Sequence, residues 1–225
     1  MKNEVFKILA QKRFYTPGVK IQANRIVPIY WDPKAALSDP AVLKMVAREL
    51  AEIIRIIKPK IEIIAGGETG GIGLAAAIAL ETKLPWVYIR KKAKGYSTDS
   101  LIEGIYSKGA RAVLVDDVIA TGASKEIFIE NVRGELNIQK IIVILDDTGG
   151  KYPEWISRRK IKFEALFNKK DRDLYFRKIG FFSEVVWELE QAYEADRDNW
   201  HKDKKIWKKF LNWKRDCEKI KSNKM

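Results

Sequence analysis

One cysteine, one histidine and no long apolar run are what this sequence offers, and each scarcity removes a class of function. Cys217 has no second cysteine with which to close a disulfide, and Cys217 with His201 makes no Cys/His metal cluster. Hydrolysis through a Ser-His or Cys-His pair is unexpected for the same reason. The longest apolar stretch, Leu74 to Leu80, falls far short of the ~20 residues a membrane-spanning helix needs, so no membrane partner is expected. The opening Met1-Lys2-Asn3-Glu4 lacks the apolar segment of a signal peptide, and a cytoplasmic location is the expectation.

What is abundant is charge. The 225 residues are 46% hydrophobic, enough for one substantial core and a small appendage, and carry a net charge of +13. Such an excess suits a polyanionic partner: nucleic acid, a membrane surface or a small phosphorylated substrate. It is unevenly spread. Residues 151–225 hold 21 of the 43 Lys and Arg but only 13 of the 30 Asp and Glu, so most of the excess lies in the last third.

Along the chain, a short helical pattern near residues 4–12 precedes a longer one opened by Ser38-Asp39-Pro40. There Ser38 or Asp39 can cap, Pro40 fits the first turn, and Leu43, Val46, Leu50, Ile53 and Ile57 recur at helical spacing. Compact apolar runs follow at Ile61–Ala65, Trp86–Ile89, Ala112–Val115 and Ile141–Leu145, with helix-like segments at Ile72–Leu80 and Ser124–Val132 between them. This alternation predicts an α/β fold, a mainly parallel sheet with helices on both faces, whose ligands bind beyond the carboxyl ends of the strands. After Asp147-Thr148-Gly149-Gly150 the character changes to helical stripes rich in charge and holding five of the seven tryptophans. The expected division is therefore a catalytic domain over 1–150 and a small helical domain over 151–225, the latter packed with Trp187, Trp207 and Trp213 inward.

The strongest chemical signal is Val113-Leu114-Val115-Asp116-Asp117-Val118-Ile119-Ala120-Thr121-Gly122-Ala123-Ser124. A buried strand ends in two carboxylates, and a loop of small residues then opens a helix. Backbone N–H groups of Ala120, Thr121, Gly122, Ala123 and Ser124 can cradle a dianionic phosphate, with the Thr121 and Ser124 hydroxyls as further donors. Asp116 and Asp117 stand within reach of a ribose whose 5′-phosphate that loop holds. There they can bind hydroxyls and stabilise positive charge developing at C1.

Two further segments complete an anion site. Ala65-Gly66-Gly67-Glu68-Thr69-Gly70-Gly71 follows the first core strand, and a glycine-dense turn at a helix start suits pyrophosphate, with Gly67, Glu68, Thr69 and Gly70 as its residues. Gly71-Ile72-Gly73-Leu74-Ala75-Ala76 also fits a dinucleotide fingerprint, and Arg90 could then meet an NADP 2′-phosphate. That alternative leaves the Asp116–Ser124 segment unexplained. Arg90-Lys91-Lys92-Ala93-Lys94 gathers four cations in five residues, a loop able to close over a polyanion, neutralise it and exclude water.

The Asp116–Ser124 segment resembles the phosphoribosyl pyrophosphate (PRPP) motif of type I phosphoribosyltransferases, and Arg90 to Lys94 resembles the mobile loop of the orotate branch of that family. The similarity runs over roughly residues 14–146 and includes Leu101-Ile102-Glu103-Gly104. Phe14-Tyr15-Thr16-Pro17-Gly18 and Pro28-Ile29-Tyr30-Trp31-Asp32 echo the branch's N-terminal hood, with altered spacing. The resemblance implies the type I phosphoribosyltransferase fold, Mg²⁺ bound with PRPP, and transfer of phosphoribosyl to a nucleobase. It implies catalytic roles for Asp116, Asp117, Lys94 and Arg90, and pyrophosphate contacts from Arg90, Lys91 and Lys94. It also implies a homodimer in which Lys91 and Lys94 serve the partner's site.

Two departures bear on the base. Thr69-Gly70-Gly71 stands where many orotate enzymes carry Tyr-Lys-Gly, and Asp146-Asp147 stands where an Asp-Arg pair would meet orotate's carboxylate. Acids there would repel a carboxylate and suit a base that presents an amine and ring N–H donors. Adenine is therefore the expected base, with Asp146 and Asp147 as its contacts, a reading that the helical last third supports by its resemblance to adenine phosphoribosyltransferases of some archaea. Orotate remains the alternative if Arg158, Arg159 or Lys160 supplies the missing cation. A second alternative is a PRPP-sensing regulator that binds nucleic acid through the basic third. The acids and the cationic lid together favour an enzyme, and nucleic acid is not the expected partner.

Overall fold

The computed structural model describes Val5, Ile8 and residues 15–20, 26–93 and 100–222, with side chains from 26 to 219 among the latter two segments. Lys94 and most of the expected first helix lie outside the described residues.

Strands β1 (Tyr15–Lys20) and β2 (Ile26–Trp31) form an antiparallel hairpin in which Tyr15 pairs with Trp31 and Val19 with Val27. Helices α1 (Pro33–Leu37) and α2 (Pro40–Arg55) follow. Of the two candidate caps, Asp39 acts: its Oδ1 accepts the N–H of Ala41 at 2.9 Å, while the Ser38 hydroxyl turns back to the carbonyl of Ala35. The buried face of α2 is Val42, Val46, Ala47, Leu50, Ala51 and Ile54, one position off the expected stripe at its start.

The remaining elements of the main sheet alternate: β3 (Ile63–Gly67), α3 (Gly70–Thr82), β4 (Trp86–Ile89), β5 (Ile102–Glu103), β6 (Ala110–Ile119), α4 (Ala123–Asn131), β7 (Leu136–Asp146), α5 (Glu154–Arg158) and β8 (Lys162–Asn168). The six strands lie in the order β5-β4-β3-β6-β7-β8, all parallel except β5. Alternation explains the two buried faces. Ile63, Ala65, Leu114, Ile141 and Val143 point to the side covered by Phe128 and Ile129 of α4, by Val132 just past its end and by Trp155 and Ile156 of α5. Their neighbours Ile64, Val113, Val115 and Ile142 point to the other side, where α3 lies on β3 and β6.

Connections leave β3 in one direction and β6 in the other, so the boundary between these adjacent strands is the topological switch point of the sheet. The pairing stops early there. Gly66 against Val115 is the last β3–β6 pair, whereas β6 continues beside β7 as far as Ile119 and Asp146. A gap therefore opens at the carboxyl edge, and the residues that flank it on β6 are Asp116 and Asp117.

The sheet does not end at residue 150 as expected. β8 is missing from the list of apolar runs because Lys162 and Glu164 interrupt it, and an edge strand needs no continuous apolar sequence; Glu164 pairs with Lys140 of β7. Two compact units result. One comprises Val5 and Pro33–Lys169; the described residues of the other are Ile8, 15–20, 26–32 and 170–222.

The second unit joins the hairpin to α6 (Lys169–Lys178, from its second residue on), α7 (Glu184–Ala195), a short 3₁₀ turn (Trp200–Lys202) and α8 (Lys204–Ser222). Its core gathers Val27, Leu189, Tyr193, Trp200 and Phe210, with Trp207 and Trp213 packed against them. The Trp200 indole donates to the carbonyl of Ile26 at 2.9 Å. Trp187 differs from expectation, being half-buried under the guanidinium of Arg177 at 4.4 Å. Among the described residues no helix is long and apolar enough to cross a membrane.

Candidate active site

The site is assembled at the gap beside β6. Asp116, the first residue of β6 beyond its last pair with β3, is 4% exposed, and its Oδ1 accepts the N–H of Asp117 at 2.9 Å. Burial pushes its carboxyl up to about 6, against the pull of Lys125 and with the added push of Asp117. The sequence reading did not single out Lys125. Its ammonium, as buried as Asp116, lies 2.6 Å from Asp116 Oδ2 and donates to Ser124 Oγ at 3.3 Å. Asp117 is half-buried beside Lys34 of α1, with 3.6 Å between ammonium and carboxylate, and its Oδ1 accepts the N–H of Val118 at 2.8 Å.

Past Ile119 the chain turns through Ala120, Thr121 and Gly122 into α4, whose first intrahelical bond runs from Glu126 N–H to Gly122 carbonyl. Earlier N–H groups have no helical acceptor and are available to an anion, although Thr121 Oγ1 stands 3.5 Å from the amide of Ala123. Gly122 has φ +77°, and a Cβ there would come within 2.5 Å of Pro153, so the turn after β7 closes against this loop and only glycine fits. Ala120, Thr121 and Ala123 are exposed and Ser124 half-buried, as a ligand-facing loop requires.

The glycine turn is brought to the same place by close packing. A Cβ on Gly71 would lie 2.3 Å from the carbonyl of Val115, and one on Gly70 would lie 2.5 Å from the Asp117 carboxyl carbon. The start of α3 can rest on the backbone of β6 only because residue 71 is glycine, and Gly70 leaves room beside it for the Asp117 carboxylate. Of the expected pyrophosphate residues Gly67, Glu68, Thr69 and Gly70, Gly70 borders Asp117 and Gly67 lies against Phe128. Glu68 itself faces the cationic loop: its carboxylate accepts the N–H of Lys91 at 2.8 Å. Asn131 of α4 holds the other side, donating to the carbonyl of Arg90 at 2.6 Å, and Arg90 N–H bonds Leu101 carbonyl at 2.9 Å. Arg90 and Lys91 therefore leave the sheet edge from a fixed root, and Lys94 lies outside the described residues.

Gly70→Ala would press on the movable end of Asp117 and leave the backbone alone. Thermal unfolding is expected to change by no more than about 1 kcal/mol, whereas kcat/KM is expected to fall about tenfold as Asp117 is displaced. Equal losses in both measurements would contradict the assignment of Asp117 to the site.

Asp146 does not do what the sequence suggested. It is buried, and its carboxylate accepts the Thr148 N–H at 2.9 Å, the Thr148 hydroxyl at 2.7 Å and the Tyr152 hydroxyl at 2.7 Å. The bond to Asp146, together with burial, pushes the Tyr152 phenol up to about 12. This acid anchors the 146–152 turn, and its charge is spent on that turn instead of on a base. Asp147 is half-buried beside it, with its N–H bonded to the Ile119 carbonyl at 2.8 Å. Of the three basic residues that follow, Arg159 pairs with Glu130 of α4, while Arg158 and Lys160 are exposed.

Comparison with known proteins agrees with this geometry. The phosphoribosyl transferase domain model matches residues 34–155, more than half of the chain and most of the unit that carries the site. The chain belongs to the phosphoribosyltransferase family. It is an enzyme of the type I phosphoribosyltransferase fold that uses PRPP. Orotate phosphoribosyltransferase of Lactococcus lactis subsp. cremoris (strain SK11) is 29% identical over 174 residues, 77% of this chain and 83% of that protein. Among solved structures, UMP synthase of Leishmania donovani superposes with a TM-score of 0.76 at 28% identity, over 86% of this chain and 42% of that one. Orotate phosphoribosyltransferase of Aeropyrum pernix gives 0.66 at 27% identity, over 80% and 99%. The dinucleotide alternative is thereby set aside. Adenine finds no support in these relatives, and the part of its physical argument that rests on Asp146 loses its ground, because that carboxylate is already taken up by donors of its own loop.

Proposed function

We propose that this phosphoribosyltransferase transfers the phosphoribosyl group of PRPP to orotate, releasing pyrophosphate. The observation that carries the reading is that the glycine turn opening α3 rests on Asp117 of β6, and the small-residue turn opening α4 leaves that same strand, at the switch point of the sheet. The similarity to orotate enzymes over three quarters of the chain supports the choice of base.

In this reading the 120–124 loop holds the 5′-phosphate with backbone N–H groups and the Thr121 and Ser124 hydroxyls. Asp117, the more exposed acid, receives the ribose hydroxyls. Pyrophosphate lies along Gly67–Gly70, with Arg90, Lys91 and Lys94 neutralising it as the C1–O bond breaks. Negative charge fixed at Asp116 and Asp117 favours the positive charge that develops at C1.

Among the described residues no three His, Cys, Asp or Glu gather into a metal cage, and Asp116 is already paired. Such a site fits a Mg²⁺ that arrives on the substrate, held by PRPP oxygens and water. When bound it screens the charge of the departing pyrophosphate. The carboxylate of orotate needs a fixed cation, and Arg158 and Lys160 are the two candidates of this stretch that the structure leaves exposed.

The test is a base screen with PRPP and Mg²⁺ over orotate, adenine, hypoxanthine, guanine and uracil. Orotate is expected to give the highest kcat/KM by ~10²-fold or more, the discrimination a paired buried carboxylate can supply. Preference for adenine would overturn the proposal and leave the family assignment intact.

A further inference from the structure

We propose that Lys125 is a positioning residue of this enzyme, a buried link that holds Asp116 at the ribose end of the site and Ser124 at the phosphate end. The proposal rests on the PRPP site described above and is independent of which base is used.

A lysine in the first turn of a helix ordinarily extends into water. Lys125 instead has 4% of its surface exposed and is directed back at β6. Burying an ammonium is unfavourable unless its protons are taken up, and here two partners take them: Asp116 Oδ2 at 2.6 Å and Ser124 Oγ at 3.3 Å. Each bond has a consequence for its acceptor. Because Ser124 Oγ accepts from Lys125, its own hydroxyl hydrogen is left to donate outward, toward a phosphate seated at the start of α4.

For Asp116 the consequence is charge. The groups that face it are few. On its own strand Asp117 repels it, and Asp117 is itself beside Lys34 of α1. Its neighbour on β7 is the apolar Val143, and α3 approaches it with the backbone of Gly71. Lys125 of α4 is therefore the single cation in direct contact with the Asp116 carboxylate among the described residues. Without it, burial and the charge of Asp117 both act toward the neutral acid, opposed only by the Asp117 N–H. The carboxylate acts when ionised, so activity is present above its pKa and is lost as pH falls through it. Removing the cation must move that loss to higher pH.

The experiment measures kcat/KM for PRPP against pH in the parent, Lys125→Met and Lys125→Gln, with whichever base the parent uses. Phosphates of PRPP titrate alike in all three, so a difference between profiles belongs to the protein. Both variants are expected to lose activity at a pH at least one unit above that of the parent. Lys125→Met is also expected to raise KM for PRPP about tenfold, since Ser124 loses its donor; Lys125→Gln, which keeps a donor without charge, should raise it less. A folded variant whose profile and KM superimpose on the parent's would overturn the proposal. If Lys125→Met does not fold, Lys125→Gln carries the test alone. Failure of Lys125→Gln to fold would show that the pair holds the fold, and not the site, and would equally overturn it.

Discussion

Asp117→Asn is expected to lower turnover by ~10²-fold or more with little change in thermal stability. The asymmetry between the two acids is the reason. Asp116 is enclosed, with one oxygen on the Asp117 amide and the other on Lys125, whereas Asp117 is less buried, beside Lys34 and the start of α3. An amide there preserves the shape and removes the charge that favours cation development at C1. Asp116→Asn is expected to lower turnover comparably, but it also leaves Lys125 buried without a counterion, which costs about 3–5 kcal/mol of stability. Circular-dichroism melts beside steady-state rates separate the two cases. Near-normal turnover in both variants would remove these residues from the reaction.

A second large effect is expected from mixing two inactive enzymes. If the active form is a homodimer whose loop lysines cross the interface, Lys94→Ala and Asp116→Asn each abolish activity for different reasons. A hybrid dimer then contains one site with both defects and one with neither. Random exchange of subunits should restore about a quarter of the parental activity, because half the dimers are hybrids and half their sites are intact. The measurement is rate against mixing ratio, with subunit exchange confirmed by mass. No recovery despite exchange would mean that each site is built from a single chain.

The parts of the site that could be read from sequence are those written contiguously. Asp116 to Ser124 is a strand, a pair of acids, a small-residue loop and a helix start in one run of residues, and each part constrains the next. Similarly, Asp39 announces α2 because a cap acts on amides two and three residues away. What failed to show depended on distance along the chain. Lys125 reads as an ordinary helix lysine until the strand carrying Asp116 is placed under it. The hairpin and the C-terminal helices share a core through contacts such as Trp200 to Ile26, which no local pattern encodes. Asp146 misled for the opposite reason. Its charge was visible, but the Thr148 and Tyr152 donors that satisfy it follow two and six residues later in a turn whose geometry the sequence does not disclose.

The central claim is that the turn resting on Asp117 and the turn leaving β6 hold PRPP for transfer and not merely for binding. The direct measurement follows PRPP, orotate, pyrophosphate and nucleotide together in one reaction with Mg²⁺. The account predicts that one pyrophosphate and one orotidine 5′-monophosphate appear for each PRPP consumed, and that neither appears without a base. PRPP that is bound with no base-dependent release of pyrophosphate would contradict it.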